Sequence, residues 1–263
     1  MRKRTFLGVL VLAGAVISCG GGGDAPVAVV PSQPPPQPPF SGTIFIDPDI
    51  ITSADPTTFQ GLTFKGKASR TMFDRRVNTF IAVEAYLFTA SYDDALSAEI
   101  QVNPEFGSEE SARVVAERYG NVIGRLPTAL RSRVETVWIH QGIQPFGGGN
   151  NNLLIHVGQA DLYERDGILE ETLVHEAVHT SLDGAHASAT AWIAAQVADG
   201  NFISIYARDF PGREDLAESF VPWLAIRHRS GRISQSLANT ILQAIPHRIA
   251  YIDALSLQLH PIQ

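Results

Sequence analysis

The chain is almost without cysteine, since Cys19 is its only one, and a lone thiol closes no internal disulfide. It also lacks an apolar run of the roughly 20 residues that a bilayer-spanning helix needs; Phe6–Ile17 amounts to about a dozen. Net positive charge is missing too. The formal charge is −7 at pH 7, and losing the three cations Arg2, Lys3 and Arg4 would take it to −10. A phosphate backbone repels such a chain, so nucleic acid is excluded as a partner. No internal repeat is visible. What the 263 residues do carry is 44% hydrophobic and 18% charged side chains, enough for one sizeable domain or two small ones.

The N-terminus reads as an export signal, with Met1–Arg4 basic and Phe6–Ile17 apolar. It runs into Val16-Ile17-Ser18-Cys19, a tetrapeptide that resembles the bacterial lipobox. That resemblance implies a signal peptide over residues 1–18, a lipid on Cys19, and a membrane partner reached through that lipid. Gly20 in place of Asp implies the outer membrane of a bacterial envelope. The plainer alternative is an ordinary signal peptide with an incidental cysteine. Four glycines and a proline-rich tract follow, a composition that forms a spacer and no core. The expected division is therefore signal peptide 1–18, lipidated cysteine and tether 19–42, and a folded domain 43–263.

Within the domain, β-type runs stand at Thr43–Ile46, Leu62–Lys65, Phe80–Leu87, Ala98–Val102 and Thr136–Ile139, separated by turn-formers. Ser108, with Glu109 and Glu110 behind it, caps a helix predicted to reach Ile123. Phe146–Asn152, FGGGNNN, reads as a flexible loop, and Leu153–Val157 as a compact apolar strand. Beyond Asp166 the pattern is helical, with Asp166 itself as the expected cap of the next helix. Strands first and helices later predict an α+β fold.

That next helix contains ETLVHEAVHTSLD. His175 and His179 are four apart, so both imidazoles leave one face of a helix a turn apart and can share one Zn²⁺. Glu176 lies beside the first and can act as general base on a water molecule. This is the HExxH pattern. Apolar residues surround the pair, and burying two imidazoles and a carboxylate without partners would cost several kcal/mol. The competing reading is a structural histidine pair.

A catalytic zinc needs a third protein ligand. His186 is one candidate, although the pattern HExxHxxGxxH requires histidine at 185, where this chain has Ala, and glycine at 182, where it has Leu. Asp183, one turn after His179, is badly placed to ligate. The remaining candidate is Glu214, which with Glu218 forms a pair of acids one turn apart after Pro211 and Gly212. Like charges at that spacing call for a cation between them.

Taken together, HEAVH and the later EDLAESF resemble the gluzincin peptidases, most of all the branch related to anthrax lethal factor. The resemblance spans about residues 150–230. It implies a zincin-like domain, with a small mixed sheet, a mostly helical C-terminal half, and zinc held by His175, His179 and Glu214. It further implies that Glu218 supports a ligating histidine from behind, with Asp183 alongside, and that Tyr206 polarises the scissile carbonyl. In such folds an edge strand beside the metal pairs with extended substrate. Leu153–Val157 fits that role by position, or is a plain core strand, and the FGGGNNN loop would shape the cleft. Pro222, four after Glu218, removes one helical bond and predicts a kink or a new turn.

Three functions compete at this point. The first is a zinc-dependent endopeptidase acting on peptides or proteins at the envelope. The second is a zincin-like binding or structural lipoprotein without catalysis. The third is zinc hydrolysis of a non-peptide amide. The run RTMFDRR, with Arg70, Arg75 and Arg76, is either a partner-binding patch or a solvated face. His140, His228, His247 and His260 lack ligand spacing and read as structural.

Overall fold

The computed structural model describes residues 36–47 and 49–262. The expected signal peptide, Cys19 and most of the tether lie outside the described residues.

Six strands form one mixed sheet: β1 (Phe59–Asp74), β2 (Thr79–Tyr92), β3 (Ser97–Val102), β4 (Thr136–His140), β5 (Gly147–Gly149) and β6 (Asn152–His156). Their spatial order is β1-β2-β3-β4-β6-β5. The first three pair antiparallel, β4 is parallel to both β3 and β6, and β5 returns antiparallel on β6. Ten helices accompany the sheet among the described residues. Those before the last strands are α1 (Glu109–Ile123) and α2 (Thr128–Arg131). The C-terminal half holds α3 (Val157–Arg165), α4 (Leu169–Ser181), α5 (Asp183–His186), α6 (Thr190–Asp199) and α7 (Ile205–Asp209). It ends with α8 (Asp215–His228), α9 (Gln235–Ala244) and α10 (Pro246–Ala254). The protein is mixed α+β.

One face of the sheet carries the main core. Phe88, Ile100, Val137, Ile139, Leu153 and Ile155 cluster with Ala112, Ala116, Tyr119 and Ile123, which recur every three or four residues along α1. The opposite face keeps only a small cluster, Met72, Ala85 and Leu87, with Trp138 against it. Helices thus cover one side of the sheet, and β6 is buried along its whole length. Leu154, which points to the face opposite Leu153 and Ile155, is buried as well, and burial on both faces suits the apolar stretch 153–155 between Asn152 and His156.

Several expectations need correction. Leu153–Val157 is not an edge: β6 lies between β4 and β5, Val157 already belongs to α3, and β5 takes the outer position. FGGGNNN is not a loop. Gly149 pairs with Asn152 across Asn150 (φ 49°) and Asn151 (φ 58°), and two consecutive positive φ values make the tight turn that suits a two-residue hairpin. Thr43–Ile46 forms turns and no strand. Leu62–Lys65 and Phe80–Leu87 are fragments of a much longer hairpin, whose alternating half-exposed pattern weakens the apolar signal. Asp166 does not cap α4. It ends α3, where Gly167 (φ 70°) donates to the Glu164 carbonyl and Ile168 to the Tyr163 carbonyl. Pro222 sits inside α8, which continues to His228. The packed chain also starts earlier than residue 43. Phe40 and Ser41 accept from the N–H groups of Ile205 (2.8 Å) and Tyr206 (3.2 Å).

His140 and His156 close the ends of β4 and β6 as a stacked, fully buried pair with ring centroids 5.3 Å apart. Burial pulls His140 down to about 4, against the opposing pull of Asp74. The neutral ring belongs to the folded state, so its stabilisation is complete above pH about 6.5 and is lost as pH falls toward 4. Unfolding free energy should therefore drop by up to about 3 kcal/mol across that interval. Denaturant titrations at several pH values should give a flatter profile for His140→Asn; an unchanged slope would refute the assignment.

Candidate metal centre

Helix α4 is apolar nearly all round, with Leu169, Leu173, Val174, Ala177 and Val178 buried. It runs beneath β5 and alongside α8, and its histidines are presented at the junction. His175 Nε2 and His179 Nε2 are 3.2 Å apart. Glu214 Oε2, from the residue that opens α8, lies 3.3 Å from the first and 3.2 Å from the second. Among the described residues these three form the one cluster able to hold a metal ion. Donors about 2.0–2.1 Å from one tetrahedral zinc stand about 3.3–3.4 Å from one another. The observed triangle matches that spacing, so the donor set fits Zn²⁺.

Each histidine has a carboxylate behind it, hydrogen-bonded in the case of His179 and close by in the case of His175. His179 Nδ1 lies 2.7 Å from Asp183 Oδ2, and His175 Nδ1 lies 3.5 Å from Glu218 Oε1. Asp183, four residues after His179 and the first residue of α5, meets the ring nitrogen that faces away from the cluster. Glu218 is fixed in turn: its Oε2 accepts from the Ser204 hydroxyl (2.5 Å) and from the Thr43 N–H (2.9 Å). Ser204 also caps α7 by accepting from Ala207 N–H. Burial pushes the Glu218 carboxyl up, with His175 and Ser204 opposing. Burial likewise acts on Glu214, but the two imidazoles overcome it and hold the carboxyl well below the usual range. For His179 burial is outweighed by Asp183 and Glu214, which lift the ring to about 10.

The cluster lies in an open cleft of about 1260 Å³. Glu176 lines it beside the histidines, and its side chain has no hydrogen-bond partner among the described residues. Tyr206 also lines it, about one-third exposed, with its hydroxyl against Glu214. Arg213 covers the far side of Glu214, Nε to Oε1 at 2.6 Å. The alternative third ligand is absent from the cluster: His186 Nδ1 faces the Tyr251 hydroxyl at 2.8 Å. The other histidines are occupied as well, His247 by Asp199 and His260 by Asp93, while His228 rests edge-on against Trp223.

Three elements of the site escaped sequence reasoning. Thr43 and Ser204 hold Glu218, and only the capping role of Ser204 had a sequence signal. Thr180 Oγ1 accepts from Gly149 N–H and donates to the Asn152 carbonyl, both at 2.8 Å, tying the β5–β6 hairpin to α4. The third is Gly148.

No protein-family model matches the chain, and neither does any curated protein or solved structure.

Gly148 lies directly on the α4 backbone, where an added Cβ would stand 1.9 Å from the Glu176 carbonyl oxygen. Gly148→Ala should therefore force β5 off the helix and destabilise by about 1–3 kcal/mol, read as a lowered thermal midpoint. Gly184→Ala, in the same cleft but with open space around the new methyl, should be neutral or stabilising. Equal effects of the two would contradict the close packing.

Proposed function

We propose that the chain is a zinc-dependent peptidase of the zincin-like, gluzincin kind, anchored to a bacterial envelope through a lipid on Cys19. The observation carrying this reading is the triangle of His175, His179 and Glu214, with separations of 3.2–3.3 Å and an unpartnered Glu176 beside it. An inert histidine pair would not require a carboxylate from a second helix at tetrahedral spacing.

When bound, zinc supplies Lewis acidity, which lowers the pKa of a water and polarises a carbonyl. The chain's own residues do the remainder. The Glu176 carboxylate takes a proton from the attacking water and returns it to the leaving amine. Tyr206 offers its hydroxyl to the carbonyl oxygen on which negative charge develops. Asp183 and Glu218 fix the two imidazole rings so that their Nε2 atoms stay aimed at one point. Among the described residues the outer edge of β5 has no strand beyond it, and it borders the cleft, so extended peptide can add there by backbone hydrogen bonding.

Metal analysis of the purified chain should give about one zinc per molecule, with affinity reduced at least about 10-fold to 100-fold in Glu214→Gln. Glu176→Gln should keep the metal and lose peptide cleavage by a factor of about 100 or more. Full activity in Glu176→Gln would defeat the mechanism. Zinc binding without turnover of any peptide by the unsubstituted chain would leave a binding module instead.

A further inference from the structure

Two arginines depart from the rule that the others follow. Every other arginine among the described residues is ion-paired with a carboxylate. Arg75 and Arg133 have no such partner among the described residues, both are exposed, and both line the cleft. Arg75 comes from the turn between β1 and β2. Its Nη2 lies 2.9 Å from where a side chain on Gly147 would begin, so its guanidinium rests on the first residue of β5. Arg133 comes from the segment between α2 and β4. Two residues on, the Glu135 N–H donates to the Asn151 carbonyl (2.9 Å), which puts Arg133 by the turn that follows β5. The unpaired cations therefore bracket the outermost strand, one toward each end.

The carboxylates of the cleft do not answer them. Asp183 faces His179, Glu214 faces both imidazoles and Arg213, and Glu218 is held by Ser204 and Thr43. Glu176 sits beside the middle of the strand, where its backbone meets Gly148. Two fork-shaped cations with no internal counter-charge, at the two ends of a bare strand edge, match carboxylates carried by an extended ligand. An extended peptide laid along the three residues of β5, at about 3.3 Å per residue, runs from the side of one arginine toward the other. The rest of the molecule is acidic and repels such a ligand, so these two side chains define where it can land.

We propose that Arg75 and Arg133 select acidic peptides, with a carboxylate side chain on each side of the bond presented to Glu176. This deepens the peptidase reading and rests on it. The test uses the full chain carrying Glu176→Gln and three fluorescent octapeptides, identical except for Glu, Gln or Lys at the flanking positions. Polarisation should show the Glu peptide binding about tenfold tighter than the Gln peptide. The ratio should fall to about one in Arg75→Gln/Arg133→Gln and turn in favour of the Lys peptide in Arg75→Glu/Arg133→Glu. It should also shrink between about 0.05 and about 0.5 M salt. Equal binding of the three peptides, or a preference that survives the arginine substitutions, overturns the proposal. Cleavage by the unsubstituted chain separates the two ideas. Turnover of the Gln peptide as fast as the Glu peptide sinks the acidic preference and leaves the peptidase. An arginine-dependent acidic preference in binding, with no peptide ever cut, keeps the preference and sinks the peptidase.

Discussion

Two imidazole nitrogens and a carboxylate oxygen gathered to within 3.2–3.3 Å of one another set the condition that the surrounding structure has to meet. The atoms carry lone pairs, lie in a largely buried corner, and come from two helices joined by a long stretch of chain. Holding them so close demands that α4 and α8 be rigid where they meet. Both helices supply that rigidity by burying apolar side chains on most sides, Leu173, Val174 and Ala177 from one and Leu216, Phe220 and Leu224 from the other. Neither is a typical amphipathic surface helix. Polar residues outside the cluster and its supports are tied elsewhere, Glu170 to Arg125, Ser181 to the Leu130 carbonyl, Asp215 to Arg248 and Arg227 to Asp253.

The support for the cluster reaches further than the helices. Glu218 steadies His175, yet Glu218 is itself a buried acid that needs donors. One donor is Ser204, at the start of α7, and the other is the backbone of Thr43, a few residues into the packed chain. The segment arriving from the N-terminal side is thus part of what fixes the centre. Phe40 and Ser41 bond to the first residues of α7, and Ser41 and Gly42 line the cleft. A spacer composition up to residue 39 gives no hint of this, because the work is done by backbone groups that any residue could provide.

That contrast explains what could be read from the sequence. The candidate site was legible where the identity and spacing of side chains mark it. His175 and His179 at helical spacing, Glu176 between them, and Glu214 with Glu218 one turn apart all declare themselves, and their positions in space agree with the spacing. The α1 helix was legible for the same reason, its cap and first-turn acids lying in sequence order. What escaped depends on backbone geometry or on neighbours distant in the chain. Residues 146–152 look featureless because glycine has no side chain to pattern, although Asn150-Asn151 is a usable hairpin signal. The β1–β2 hairpin was underread because long exposed strands do not alternate cleanly between apolar and polar. The sheet order, which makes β6 internal and β5 the edge, depends on strand pairings that no local pattern encodes.

The glycines of β5 meet several demands at once. Gly148 must be small because the α4 backbone passes beneath it, and that closeness is what sets the strand beside Glu176. Gly149 must be glycine for its φ of 117°, which leads the chain into the Asn150-Asn151 turn. Gly147 gives the Arg75 side chain a surface to rest on, since a Cβ there would begin 2.9 Å from its guanidinium. A strand with no side chains contributes little hydrophobic stability, so its position has to be imposed from outside. Pairing with β6 and the Thr180 hydroxyl impose it. The result is an edge that offers only backbone groups, with Arg75 and Arg133 placed toward its ends by other elements. On the proposed peptidase reading, such an edge responds to the course and the charge of a peptide more than to the shape of its side chains.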